Sequence, residues 1–168
     1  MSIDSRMRKR VLGLDPGMNF GWAVLEANDS GIYYVAGGTK VHKTKGKEPK
    51  AKRWSDCDRW ISALLVEHAP NLVAIESVRR HAGVLAAHSY GFYRYCVEAR
   101  CYDAEIECVP LDVTAWKKLA CGVGSGKKAG VSEAVAELFP GVSIDSDDHS
   151  DAIGIALAAA RSIHQPCS

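Results

Sequence analysis

Three short apolar runs open the chain, Arg10 to Leu14, Phe20 to Leu25 and Ile32 to Ala36, divided by the turn formers Pro16-Gly17 and Asp29-Ser30-Gly31. Short β-favouring runs separated by tight turns pair most simply with their sequence neighbours, so they predict a meander of three antiparallel strands. A Lys/Arg-dense stretch follows from 40 to 53, broken by Gly46 and Pro49, which predicts a flexible basic segment. Trp54, Cys57, Ile61, Leu64 and Leu65 then recur at helical spacing until Ala69-Pro70 stops them.

The remaining pattern alternates. Leu72 to Ile75 is a strand ending on Glu76, Gly83 to Arg100 a helix, and Glu105 to Val109 a strand before Pro110. Asp112 or Thr114 caps a helix through Leu119, a loop rich in glycine runs from Gly122 to Gly126, and Lys127 to Phe139 and Asp148 to Ile163 are helical. Three antiparallel strands followed by alternating helix and strand predict an α/β fold with a mixed sheet, its later strands parallel, flanked by helices. At 168 residues, 47% of them hydrophobic, residues 1–168 suit a single domain.

Charge narrows the classes of function. The 21 Lys and Arg nearly balance the 20 Asp and Glu, and a net charge of +1 gives no general attraction to nucleic acid or acidic membranes, so any such contact must be local. The six cysteines form no Cys-x-x-Cys pair and no zinc-like set, which predicts reduced thiols. Residues 1–10 are short and charged with no long apolar run behind them, so neither a signal peptide nor a membrane span is expected, and the protein is expected to be intracellular.

Carboxylates sit where chemistry would use them: Asp15 closes the first strand, Glu76 closes the fourth, and Asp148 and Asp151 open the last helix. Residues three apart share a helix face, so the last two point at a common site. Magnesium and manganese take hard oxygen ligands, and carboxylates from separate elements converging on one point hold two such ions. Gathering these acids without a cation is costly, because like charges raise one another's pKa. Alone, each acid has a plain structural reading, as a turn former, a solvated strand end or a helix-dipole pair.

The segment Val11-Leu12-Gly13-Leu14-Asp15-Pro16-Gly17 with Gly21, the strand Val73-Ala74-Ile75-Glu76, the stretch Gly122-Val123-Gly124-Ser125-Gly126-Lys127-Lys128, and Asp148-His149-Ser150-Asp151-Ala152-Ile153 together resemble the RuvC-type Holliday junction resolvases. The resemblance spans nearly the whole chain. It implies an RNase H-like fold, a homodimer, and magnesium-dependent nicking of two opposed strands of a four-way junction. It further implies that Asp15 is shared by two metal ions, with Glu76, Asp148 and Asp151 completing the set. Some relatives place histidine at the third position, and Asp147, Asp148 and His149 stand in a row here. Helical spacing favours Asp147 or Asp148 and puts His149 off that face. Asp148 is the choice, with His149 in reserve for activating water.

The resemblance also places Lys117 and Lys128 near the scissile phosphate, where they would offset charge in the transition state. Two ions would activate water and stabilise the departing 3′ oxygen, leaving 5′-phosphate and 3′-hydroxyl ends. Lys118 and Lys127, flanking the glycine loop, and Lys43, Lys45 and Lys47 are candidate backbone-phosphate contacts. The loop is no nucleotide P-loop, since Cys121 stands at the first glycine position and Lys128 at the hydroxyl position.

After Glu76 the chain reads Ser77-Val78-Arg79-Arg80-His81, where the family commonly has glutamine and an inserting aromatic residue. Arg79 and Arg80 are therefore candidate DNA contacts, with Tyr90, Phe92 or Tyr93 as alternative wedges, and the cluster including Tyr95 reads equally as core or interface packing. Rival functions are an RNase H-like nuclease for other branched, flapped or RNA-containing substrates, and a catalytically silent DNA-binding relative. The Asp15-Gly17 hairpin also resembles that of actin-like sugar kinases, but a second phosphate hairpin is missing. The expected location is the cytoplasm, at the nucleoid.

Overall fold

The structure is a computed structural model and describes residues 8–122 and 128–164. The meander forms as β1 (Lys9–Asp15), β2 (Asn19–Asn28) and β3 (Gly31–Val41). There follow α1 (Lys50–His68), β4 (Leu72–Ser77), α2 (Val84–Asp103), β5 (Glu107–Asp112), α3 (Val113–Cys121), α4 (Lys128–Leu138) and α5 (Asp147–His164). The five strands lie in the order β3-β2-β1-β4-β5. β1 pairs antiparallel with β2 and parallel with β4, and β5 runs parallel to β4. This is the expected mixed sheet.

Alternation sorts the strand side chains between two cores. Val11, Ala23, Leu25, Leu72 and Ala74 join Trp116, Val131, Val135 and the Ala152 to Ala160 stretch of α5. Leu12, Leu14, Phe20, Val24, Val73 and Ile75 face Cys57, Ile61, Leu64 and Leu65 of α1 and Tyr93, Val97 and Cys101 of α2. β1 and β4 are thus covered on both faces, which is why they read as continuous apolar runs.

Contact between sheet and α5 depends on small residues. A Cβ built on Gly13 would overlap the Ala152 carbonyl and the Ala156 backbone and side chain, and one on Gly21 would overlap the backbone of Asp148. Behind α5, a Cβ on Gly154 would run into the Trp116 ring. Glycine on the strands and alanine on the helix let the two backbones meet directly. Ser146 caps α5, its Oγ accepting from the His149 N–H at 2.9 Å. Thr39 of β3 holds the same turn, donating from its backbone N–H to Asp145 Oδ2 at 3.0 Å and from Oγ1 to Asp145 Oδ1 at 2.7 Å.

Several boundaries differ from the sequence reading. β3 continues past Ala36 to Val41, because Lys40 and Val41 stay paired with Phe20 and Asn19 of β2. The basic stretch is therefore ordered at both ends: Lys40 belongs to β3, and 50–53 form the first turn of α1. β5 starts later than expected, since Glu105 takes a left-handed φ of 57° in the turn closing α2. Pro110 lies inside β5, tolerated because β5 is an edge strand and needs no outward donor. Residues 123–127 of the glycine loop, including Lys127, and the side chain of Lys128 lie outside the described residues. The cysteines at 57, 96, 101, 108 and 121 are free thiols, the first three buried.

Substituting Gly13 tests the flush contact against Gly91, whose Cβ would meet nothing within 4 Å in α2. Gly13→Ala should lower stability by about 1–3 kcal/mol through overpacking, whereas Gly91→Ala should leave it unchanged or raise it by up to about 1 kcal/mol through helix propensity. Urea denaturation measures both; a Gly13→Ala protein as stable as the parent would show that α5 does not rest on β1 in this way.

Candidate active site

Asp15 and Glu76 end two neighbouring parallel strands, whose register sets Leu14 beside Ile75 one residue earlier. Asp15 falls on the same side of β1 as Val11 and Gly13, and Glu76 on the same side of β4 as Leu72 and Ala74, so both carboxylates face the α5 layer. The first turns of α5 lie against Gly21 of β2, directly opposite Asp15 in the β1–β2 pairing. That contact brings Asp148 and Asp151 to the same end of the sheet.

The carboxylates act on one another electrostatically. The Asp15 carboxyl is pushed well above the usual aspartate range, first by burial and then by the charges of Glu76, Asp151 and Asp148, with Lys117 opposing. Glu76 is also raised, chiefly by burial and further by Asp151 and Asp112, while the Trp116 hydrogen bond and Lys117 hold it down. Asp147 is exposed, and of the two neighbouring aspartates it is Asp148 whose charge acts on Asp15. His149 is 1% exposed and turns away: Nε2 stands 3.2 Å from the Tyr34 hydroxyl, and Nδ1 accepts from the Asp145 N–H at 3.3 Å. Its ring thus joins the start of α5 to Tyr34 of β3.

Two contacts that hold Glu76 are not announced by the sequence. Trp116 of α3, fully buried, donates its indole N–H to Glu76 Oε2 at 3.0 Å, a charge-assisted bond contributing about 1.5–3 kcal/mol. A buried indole needs an acceptor, and that was the available signal. Lys117 sits next to it, Nζ 5.1 Å from the indole centroid. Tyr90 of α2, a candidate wedge by sequence, holds the strand end: its hydroxyl donates to the Glu76 carbonyl at 2.8 Å and accepts from the Val78 N–H at 3.1 Å. Tyr93 is buried in the core and Phe92 stacks on Trp54, leaving Tyr95 exposed.

The basic candidates occupy the rim. Arg79 is exposed and its Nε pairs with Asp112 Oδ2 at 2.9 Å, while Asp112 also caps α3 by accepting from the Thr114 N–H. Arg80 and Lys118 are exposed and Lys117 is half-buried. Lys43, Lys45 and Lys47 follow β3, whose last residue Val41 pairs with Asn19, so they leave from the carboxylate end of the sheet. They are exposed and do not join the carboxylate cluster.

Four oxygen donors, two on strands and two on one helix, suit hard divalent cations. Among the described residues no three such side chains yet converge tightly enough to ligate one ion. Magnesium needs only one or two direct carboxylates, its shell completed by water and substrate oxygens, and burial together with the charges of Glu76, Asp151 and Asp148 raises Asp15, a crowding of acids that a cation would relieve. The residues fit the metal.

Comparison with known proteins identifies the family and the fold. Residues 11–159 match the family model described as crossover junction endodeoxyribonuclease RuvC. The protein of that name from Erythrobacter litoralis is 31% identical over 152 residues, covering 90% of this chain and 92% of its own. That of Chelativorans sp. is 30% identical, covering 94% and 91%. Among solved structures, Thermus thermophilus RuvC in complex with Holliday junction substrate superposes with a TM-score of 0.81 at 22% identity, over 92% of this chain and 94% of that one. The yeast mitochondrial Holliday junction resolvase gives 0.69 at 16% identity, over 91% and 78%. At these identities the structural matches speak for the fold, which is RNase H-like.

Raised carboxyl pKa values mean that the folded chain binds protons more tightly than the unfolded one. Without metal, stability should therefore fall as pH rises above the ordinary aspartate value of 3.8 toward the folded pKa of Asp15. Asp15→Asn removes that penalty, so the metal-free variant should melt higher than the parent at neutral and alkaline pH, the gap closing in acid. Thermal melts across pH check the sign; a variant melting lower at neutral pH would contradict it.

Proposed function

The chain belongs to the RuvC family of crossover junction endodeoxyribonucleases, and from that premise we propose that it resolves Holliday junctions by symmetric hydrolysis, leaving 5′-phosphate and 3′-hydroxyl ends. One observation carries the reading: Asp15, Glu76, Asp148 and Asp151 meet at one end of the sheet, the last three each raising the proton affinity of Asp15. Nucleases of this family depend on metal. Here Asp15, Glu76, Asp148 and Asp151 would hold two magnesium ions, or manganese in their place, which when bound supply an acidified water and charge stabilisation at the departing 3′ oxygen.

The chain's own groups do the rest. Trp116 orients the Glu76 carboxylate and Tyr90 fixes its backbone. Lys117, within electrostatic reach of Asp15 and Glu76, offsets negative charge growing on the scissile phosphate, the role also proposed for Lys128. Arg79, Arg80, Lys43, Lys45, Lys47, Lys118 and Lys127 hold backbone phosphates and position the junction without reading sequence. Cutting two opposed strands requires two sites related by a two-fold axis, so the working unit is a homodimer. Residues 1–168 act as one nuclease domain, with 40–53 as its basic DNA-tracking segment, in the cytoplasm at the nucleoid. Among the described residues no helix is long and apolar enough to cross a membrane.

With magnesium, the purified protein should cut a four-way junction in preference to a flap, a three-way junction or linear duplex. Asp15→Asn should abolish cutting yet keep junction affinity. Equal cutting of linear duplex, or a variant nicking at the parental rate, would overturn the reading. Replacing Lys43, Lys45 and Lys47 together with alanine should weaken junction binding and flatten its salt dependence by about 0.9 in log–log slope for each phosphate no longer neutralised; an unchanged slope would remove these lysines from the DNA path.

A further inference from the structure

The same end of the sheet carries a second polar feature, on the α1–α2 side. The tail of β3 and the start of α1 enclose a pocket of about 300 Å³ lined by Lys40, His42, Lys43, Arg53, Asp56 and Arg59. Four cations thus face one carboxylate, and that carboxylate is already engaged, Asp56 accepting from Lys52 at 2.9 Å and from Arg59 at 2.5 Å. The balance of charge in the pocket is positive.

Two of its side chains also carry unused polar atoms. His42 is only 3% exposed, and among the described residues its Nε2 and the Nε of Arg53 are buried without a hydrogen-bond partner. Buried polar atoms are ordinarily satisfied, so the Arg53 Nε–H and the His42 Nε2, a donor when the ring's proton sits on it, point at the wall of one cationic pocket to a ligand rich in acceptors. The histidine cannot easily turn elsewhere. Its backbone N–H donates to the Met18 carbonyl at 2.7 Å, and its ring packs among Phe20, Trp60 and Tyr93. Burial, aided by Lys40 and Arg53 against Asp56, pushes the imidazole pKa down to about 4, so the ring is neutral and holds one N–H to give.

We propose that this pocket binds a phosphodiester of the DNA backbone on a strand flanking the cut, with Arg53, Lys40 and Lys43 supplying charge and His42 a directional N–H. The position favours backbone phosphate over a free anion. Met18, to which His42 is bonded, lies three residues beyond Asp15, hence within about 10 Å along the chain, the reach of a few nucleotides of one strand. The pocket therefore fixes the register of the strand entering the carboxylates. This inference rests on the DNA-nuclease reading above, and its test is built to fail separately.

Junction binding by the full chain, measured in chelator so that nothing is cut, compares the parent, Arg53→Gln and the more exposed Lys40→Gln. Junctions carry a single uncharged methylphosphonate, moved along the strand one position at a time. The parent should lose about tenfold in affinity at one position a few nucleotides from the cut. Both variants should bind the unmodified junction several-fold more weakly and ignore that position. Identical position profiles for the parent and both variants would overturn the proposal. In parallel, the His42 ring signal is followed by NMR during titration with inorganic phosphate and with junction DNA. A saturable shift with both, lost in Arg53→Gln, supports the pocket, and no shift with either overturns it. A shift with phosphate alone would make it a free-anion site and overturn the DNA assignment. A parent that shows no preference for junctions over linear duplex would fell the junction reading instead, while the ring signal still decides the pocket.

Discussion

The fold turns on one contact, the meeting of α5 with β1 and β2 at backbone distance. Ordinary helix-on-sheet packing leaves room for side chains between the layers. Here Gly13 and Gly21 have none, and Ala152 and Ala156 fill the gap from the helix. Closeness has a chemical purpose: Asp148 and Asp151 are short side chains, and they share a site with the end of β1 only if α5 lies this near. Thr39, Asp145 and Ser146 then tie the start of the helix to β3, so it is held along its axis as well as across it.

Electrostatics works against that arrangement. Burial and three neighbouring carboxylates all disfavour ionised Asp15, and among the described residues Lys117 relieves it. Fully buried Trp116, Ile153 and Ile155 belong to the core that packs α5 and α3 against this face of the sheet. The Trp116 indole belongs both to that core and to the Glu76 carboxylate, which couples the packing of α3 to the geometry of the acids.

Much of this is legible in the sequence because it follows from local periodicity. Asp15 and Glu76 continue the alternation of Gly13 and Ala74, and Asp148 and Asp151 obey helical spacing, so their convergence follows once the strands are placed. The same spacing puts His149 off the catalytic face, and the structure finds it bonded near Tyr34 and Asp145. Hidden features depend on partners distant in sequence. The bonds Trp116–Glu76 and Arg79–Asp112 join separate elements, and no spacing announces them. β5 is misplaced by sequence because Pro110 reads as a strand stop, which on an edge strand it need not be. The pocket of His42 and Arg53 reads as a mobile basic tract, since only the pairing of Lys40 with Phe20 shows that β3 carries on.

Tyr90 makes the end of β4 an extension of α2. One phenol grips the carbonyl of Glu76 and the N–H of Val78, so the peptide frame carrying the Glu76 carboxylate cannot shift unless the helix shifts with it. α2 presents Val84, Leu85 and Tyr95 to solvent on its outer side. The backbone on either side of Ser77 is thus tied by one phenol to a helix from another part of the chain, so the exit of β4 takes its position from α2 as well as from its sheet neighbours.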